Sequence, residues 1–203
     1  MIRLYDYWRS SAAYRVRIAL GLAGLDWEQI EVNLVDGAQT SPDHLARNPQ
    51  GLVPVLEIDG QTLTQSLAIL DYISETRGLS LLPDPPADRA RVRAAAHAIA
   101  MDIHPVCNLR VAKHAASQSD GGITMESWMQ TFIGPGLAAF DRLIDPGTYC
   151  FGDDITLADI CLMPQLYNAH RWGAAIPRRL TQIESRLSQN PAFAAAHPDA
   201  TPH

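Results

Sequence analysis

Apolar and polar positions along the N-terminal part of the chain follow two alternating periods. Ile2 to Tyr5 is a short strand pattern that passes through Trp8-Arg9-Ser10-Ser11 into a helical run, where Val16, Ile18, Ala19 and Leu20 alternate with Arg15 and Arg17. Ser10 or Ser11 suits the N-cap of that helix, because a hydroxyl there satisfies an orphan backbone N–H, and Ser11, one residue nearer the helix, is the better placed of the two. Gly21 and Gly24 loosen its end, Trp27 to Asn33 predicts a second strand, and Pro42 to Asn48 predicts a short helix. Asp59-Gly60 is a hairpin signal joining the strand patterns Val55 to Ile58 and Thr62 to Thr64. Val53-Pro54 precedes that hairpin. A cis bond there would leave the Val53 N–H and C=O open to an extended peptide. Gln65-Ser66 opens a helix over Leu67 to Arg77, with Ser66 as its expected cap and Gly78 closing it.

Leu79 to Ala87, with three prolines, reads as a linker, and every pattern after it is helical. Asp88 to Ile103 should break near His104-Pro105 and resume over Val106 to Ala116, since a residue before proline avoids helical geometry. Thr124 to Leu143 is a helix that Gly134-Pro135-Gly136 is expected to bend or split. Thr156 and Asp159 have capping-box spacing ahead of an apolar run to Trp172. Pro177 to Leu187 is a further helix, Asn190-Pro191 starts a short turn, and Pro198 to His203 is expected to fray. The organisation is thus an α/β domain over residues 1–82 followed by an all-α domain over 88–203.

Composition narrows the classes. The 203 residues carry a net charge of −6, which argues against nucleic acid as a partner. No apolar run approaches the ~18–20 residues of a membrane span. The first residues lack the basic and apolar segments of a signal peptide. The 3 cysteines, Cys107, Cys150 and Cys161, form no metal-ligand or CxxC spacing, which fits a reducing cytoplasm.

The stretches Arg9 to Leu20, Asn48-Pro49-Gln50-Gly51-Leu52-Val53-Pro54, Gln65 to Ile69, Asp102-Ile103-His104-Pro105 and Gly147 to Gln165 together resemble the glutathione transferase superfamily, most nearly its zeta class. The resemblance spans nearly the whole chain. It implies a thioredoxin-like glutathione-binding domain, an all-helical domain carrying the substrate site, and a two-fold homodimer in the cytoplasm. It also implies a glutathione-dependent cis–trans isomerase of aromatic amino acid catabolism, with maleylacetoacetate as substrate and maleylpyruvate as the alternative. A general conjugating transferase and an inert glutathione-binding module are the further alternatives.

The resemblance assigns roles residue by residue. Ser10 would hold the glutathione thiolate, with Ser11 as an auxiliary donor. Gln39, Val53, Gln65 and Ser66 would hold the tripeptide, the last two at its γ-glutamyl carboxylate. His104 and Asn108 would face the cleft, and Arg9, Arg110 and Arg171 would meet the carboxylates of a dicarboxylate substrate, for which the arginine fork is well shaped. Tyr5 and Tyr7, by contrast, do not match the zeta serine's role. Many zeta members carry a cysteine where this chain has Ala12, so thiol chemistry beside the serines would have to come from bound glutathione. A free thiol has a pKa of ~8.5, and lowering it by ~2 units requires roughly 2.7 kcal/mol of thiolate stabilisation. A serine hydrogen bond and a helix N-terminus supply effects of that order.

Overall fold

A computed structural model describes residues 1–201; Pro202 and His203 lie outside the described residues. The chain divides into two compact units, one formed by Met1–Leu79 with the segment from Gln189 on, the other by Ser80–Ser188.

The first unit holds a four-stranded sheet in the order β2-β1-β3-β4. Strand β1 (Arg3–Asp6) pairs in parallel with β2 (Glu28–Glu31), and the helix α1 (Ser11–Leu22) makes the crossover between them. Strand β3 (Val55–Ile58) runs antiparallel to both β1 and β4 (Gln61–Thr64), with Asp59-Gly60 making the expected hairpin. The short helix α2 (Pro42–Arg47) is capped by Ser41, and α3 (Ser66–Arg77) ends on Gly78 in the left-handed conformation.

Arg15 and Arg17, the charged residues that alternate with the apolar positions of α1, are both buried, at 2% and 1% exposure. One expectation is corrected here. Ser66 is the first helical residue of α3, not its cap; Gln65 takes the cap position.

The segment from Gln189, expected to belong to the helical domain, packs on α1 instead. Asn190 caps the short helix α9 (Pro191–Ala195), and a Cβ on Gly21 would lie 3.0 Å from the Ala192 side chain, so glycine permits this close approach. Of the stretch expected to fray, Pro198 to His203, the described part forms a 3₁₀ turn at Pro198–Ala200 with Pro198 and Thr201 buried, and Pro202 and His203 lie outside the described residues.

The second unit contains α4 (Pro86–His97), α5 (Leu109–Ser117), α6 (Met125–Leu143), α7 (Leu157–Trp172) and α8 (Arg178–Leu187). Helix α4 runs on into a π-helical stretch, Ala98–Ile103, that ends as the His104 N–H donates to the Ile99 carbonyl at 2.9 Å. Such widened turns recur at functional positions. Helix α6 remains one helix through Pro135. Gly136 explains part of this, since a Cβ there would come within 2.6 Å of the Ile103 side chain. The absent side chain lets Ile103 pack against the helix where proline has removed a backbone bond. The Asp159 carboxylate accepts from the Thr156 N–H and hydroxyl, both at 2.8 Å, completing the box at the start of α7.

Candidate functional site

The turn between β1 and α1 is fixed from both sides. The Ser10 N–H donates to the Tyr7 carbonyl at 2.7 Å, and the Ser10 hydroxyl accepts from the Ala13 N–H at 3.2 Å. Ser10 is therefore the cap of α1, which corrects the preference for Ser11: that residue is already the first of the helix, and the Ala13 N–H is bonded by the residue before it. A hydroxyl that accepts through a lone pair keeps its own proton to donate, so the cap role leaves Ser10 a donor at a helix N-terminus. Ser10 remains half-buried while Ser11 is buried.

The two inward arginines of α1 build the surroundings of this turn. Arg17 pairs with the fully buried Asp6 at 2.5 Å, donates to the Trp8 carbonyl at 3.0 Å and donates to the Ala196 carbonyl at 3.0 Å. One side chain thus ties the end of β1 to the turn and to the returning C-terminal segment. Arg15 donates through Nη1 to the Ser66 hydroxyl at 3.2 Å, linking α1 to the start of α3.

A second loop is held with similar economy. Buried His44 and buried Asn48 both contact the Leu52 carbonyl at 2.9 Å, and Asn48 also accepts from the Gln50 N–H at 3.1 Å. The loop then passes through a cis Val53–Pro54 bond, with Val53 packed against Tyr5, Val32 and Val55. Among the described residues, the Val53 N–H and C=O take no part in a turn, loop or cap hydrogen bond. Gly51 has φ +62, and a Cβ there would stand 3.3 Å from the Gln39 carbonyl, so the loop lies close to Gln39. The Gln39 Oε1 is buried with no hydrogen-bond partner among the described residues. Gln50 accepts from Gln65 Nε2 at 2.7 Å. Gln65 itself has φ +67 and ψ 110, a sparsely populated conformation that costs about 1–3 kcal/mol and tends to occur at ligand clamps. Gln39, Val53, Gln65 and Ser66 are in this way gathered around one loop and one helix start.

The chain was then compared with known proteins. Residues 1–75 match the family model for the Glutathione S-transferase, N-terminal domain. Maleylacetoacetate isomerase of Rhizobium meliloti (strain 1021) is 57% identical over 204 residues, covering 97% of this chain and 95% of the relative. The chain belongs to the glutathione transferase superfamily, in its zeta class.

Solved zeta-class structures agree. The holo form of a bacterial zeta-class maleylpyruvate isomerase superposes with a TM-score of 0.92 at 34% identity, covering 98% of each chain. Maleylacetoacetate isomerase from Anaeromyxobacter dehalogenans 2CP-1, with glutathione bound in its active site, gives a TM-score of 0.88 at 40% identity, covering 100% of this chain and 97% of that one. The same enzyme has also been solved with dicarboxyethyl glutathione and citrate bound.

The remaining sequence-derived residues are placed as follows in this zeta-class chain. Arg9 is exposed, and its guanidinium stacks on the Trp8 ring at 3.9 Å from the centroid. Arg171, also exposed, stacks on Trp172 at 5.0 Å. Each arginine is held by the tryptophan next to it in the chain, an arrangement that limits where the cation can go. Arg110 is exposed in the first turn of α5. Asn108 caps α5, its side-chain oxygen accepting from the Arg110 N–H at 3.0 Å, so that oxygen is engaged by backbone. His104 is half-buried where the π-helical stretch ends.

Sequence reasoning missed Gln50 and Arg15. Both lie inside stretches that carry the resemblance, but neither was given a partner; the structure sets Gln50 against Gln65 and Arg15 against Ser66. All three cysteines are buried. Burial pushes the Cys107 thiol up to about 11, and burial followed by the neighbouring Asp159 charge holds Cys150 well above the ordinary thiol range. Among the described residues, no cluster of His, Cys, Asp and Glu could hold a metal, and no helix is long and apolar enough to cross a membrane.

Proposed function

We propose that this chain is a glutathione-dependent cis–trans isomerase that converts maleylacetoacetate to fumarylacetoacetate. The observation that carries the reading is Ser10: a half-buried hydroxyl at the N-terminus of α1, with its lone pair engaged by Ala13 and its proton available to sulfur. The residues present fit the tripeptide. The Gln39 Oε1 needs a donor, the Val53 backbone is available for an extended chain, and the start of α3 offers amide groups to a carboxylate. When bound, glutathione supplies a thiolate that adds reversibly to the substrate double bond, so that the resulting single bond can rotate before the thiolate leaves.

The protein's own contribution is positional and electrostatic. Ser10 donates its O–H to the sulfur, and the field of α1 favours the negative charge there. Ser11 is an auxiliary donor. Gln39, Val53, Gln65 and Ser66 fix the tripeptide. By the family's pattern, Arg9, Arg110 and Arg171 are the residues for the substrate carboxylates, and His104 and Asn108 are further residues for glutathione. Ala12 leaves the serine turn without a thiol of its own, and the three cysteines are buried, with burial also raising the thiols of Cys107 and Cys150.

The assembly we propose is a cytoplasmic homodimer, following the family. The domain division we propose keeps the glutathione site in the α/β unit and the substrate arginines Arg110 and Arg171 in the helical one. Maleylpyruvate is the second reading, favoured by the 0.92 TM-score of the maleylpyruvate isomerase.

The test is turnover of each diacid with glutathione present at a small fraction of substrate. Many turnovers per glutathione, with the thiol recovered at the end, are expected, and maleylacetoacetate should be the better substrate. Stoichiometric loss of glutathione would identify a conjugating transferase instead, and no turnover on either diacid would leave only a binding module.

A further inference from the structure

Arg15 has no role in the reading above, yet it is 2% exposed and sits four residues beyond Ser11 on the helix that carries the serine turn. Its Nη1 donates to Ser66, which is itself 6% exposed and opens α3. Arginine is permanently protonated and can only donate, so the Ser66 oxygen is the acceptor in this pair. That choice orients the serine's O–H. With a lone pair engaged by a cation, the Ser66 proton turns away from Arg15, and the O–H bond is polarised toward whatever lies at the start of the helix.

We infer that Arg15 is a positioning residue that turns the Ser66 proton toward the start of α3 and so biases the α3 N-terminus toward a carboxylate over a neutral amide. The inference rests on the assignment of the γ-glutamyl carboxylate to Gln65 and Ser66. It adds a residue that does not touch the ligand and acts through one that does. A serine without a cation behind it can rotate to accept as readily as donate, and would discriminate poorly between –COO⁻ and –CONH₂. The positive φ of Gln65 supports the same conclusion: the backbone at this helix start is held in one unusual conformation, so the hydroxyl has a defined place from which to donate.

The experiment is calorimetric binding of glutathione, and of glutathione whose γ-glutamyl carboxylate is converted to the amide, to the full-length parent, Arg15→Gln, Ser66→Ala and the double variant. Arg15→Gln is expected to lose about ten- to hundredfold in glutathione affinity, as for removal of one charged hydrogen bond. Its affinity for the amide should fall far less. In the Ser66→Ala background the Arg15 substitution should add almost nothing, because the two act as one unit. Equal weakening of both ligands, or effects of the two substitutions that simply add, would assign Arg15 a purely structural role and overturn the inference. So would parental affinity in Arg15→Gln alongside weakened binding in Ser66→Ala. If Ser66→Ala binds glutathione like the parent, the carboxylate assignment itself fails, and the inference falls with it. Should Arg15→Gln not fold, Arg15→Lys carries the same cycle: a several-fold, carboxylate-selective loss that disappears in Ser66→Ala supports the inference, and parental affinity or a persistent loss refutes it.

Discussion

Substitution of Ser10 tests whether one hydroxyl serves both the fold and the chemistry. Its oxygen accepts the Ala13 N–H at 3.2 Å in a half-buried turn. Loss of such a cap costs about 1 kcal/mol, and for a chain of this size a change of that amount lowers Tm by roughly 2–4 °C. The chemical effect is separate. Removing an O–H donor from a thiolate costs about 1.5–3 kcal/mol, which at ~1.4 kcal/mol per unit raises the bound thiol's pKa by about 1–2 units. Ser10→Ala should show both effects, whereas Ser10→Gly, which costs only a few tenths of a kcal/mol as a cap, should show the thiol shift with almost no loss of Tm. Ser11→Ala should keep its Tm and move the thiol much less. The assay is thiolate absorbance in a pH titration of each glutathione complex, alongside thermal melting. A Ser10→Gly protein whose bound thiol titrates like the parent's, with Ser11→Ala shifted upward instead, would refute the assignment.

Three further outcomes are expected. Neutral replacement of Arg9 or Arg171 should lower kcat/KM for the diacid about ten- to hundredfold while glutathione affinity changes little, and Trp8→Leu should reproduce part of the Arg9 effect by removing its stacking platform. An Arg171→Ala enzyme with unchanged kinetics on both diacids removes that residue from the site. With Cys107 raised to about 11 and all three thiols buried, native protein should resist alkylation at neutral pH and react at all three positions once unfolded; fast labelling of native protein refutes this. Light scattering at micromolar concentration should give twice the 22.2 kDa chain mass, and a species of the single-chain mass alone counts against the homodimer.

Local signals in the sequence were sufficient wherever local chemistry decides. Asp59-Gly60 placed a hairpin, Thr156 and Asp159 placed a capping box, and Gly78 ended α3, each through backbone hydrogen bonds or a positive φ within a few residues. The choice between Ser10 and Ser11 is equally local, but residue type does not decide it: both can cap, and only the tight turn from Ser10 N–H to the Tyr7 carbonyl selects the first. Arg15 and Arg17 have the polarity of a solvated face, and only tertiary partners distant in sequence, Ser66 and Ala196, reveal why they are inside. Gly134-Pro135-Gly136 looked like a break for the same reason: nothing nearby in the chain announces that Ile103 packs against Gly136. In the candidate site, the serine turn, Val53, Gln65 and Ser66 were legible as a motif set, while the supports beneath them, Arg15 and Gln50, were not.

The return of the segment from Gln189 to α1 has a consequence for how the protein is made. Domains usually close one after another as the chain leaves the ribosome, the N-terminal one first. Here the buried Arg17 receives one of its acceptors from Ala196, and Gly21 receives the side chain of Ala192, only after the entire helical unit has been synthesised. The α/β unit therefore waits, with one face of α1 open, through the translation of more than half the chain. A nascent chain stalled anywhere in the helical unit should bind a chaperone through that face. A tag or truncation placed after Leu187 disturbs the unit that was begun first.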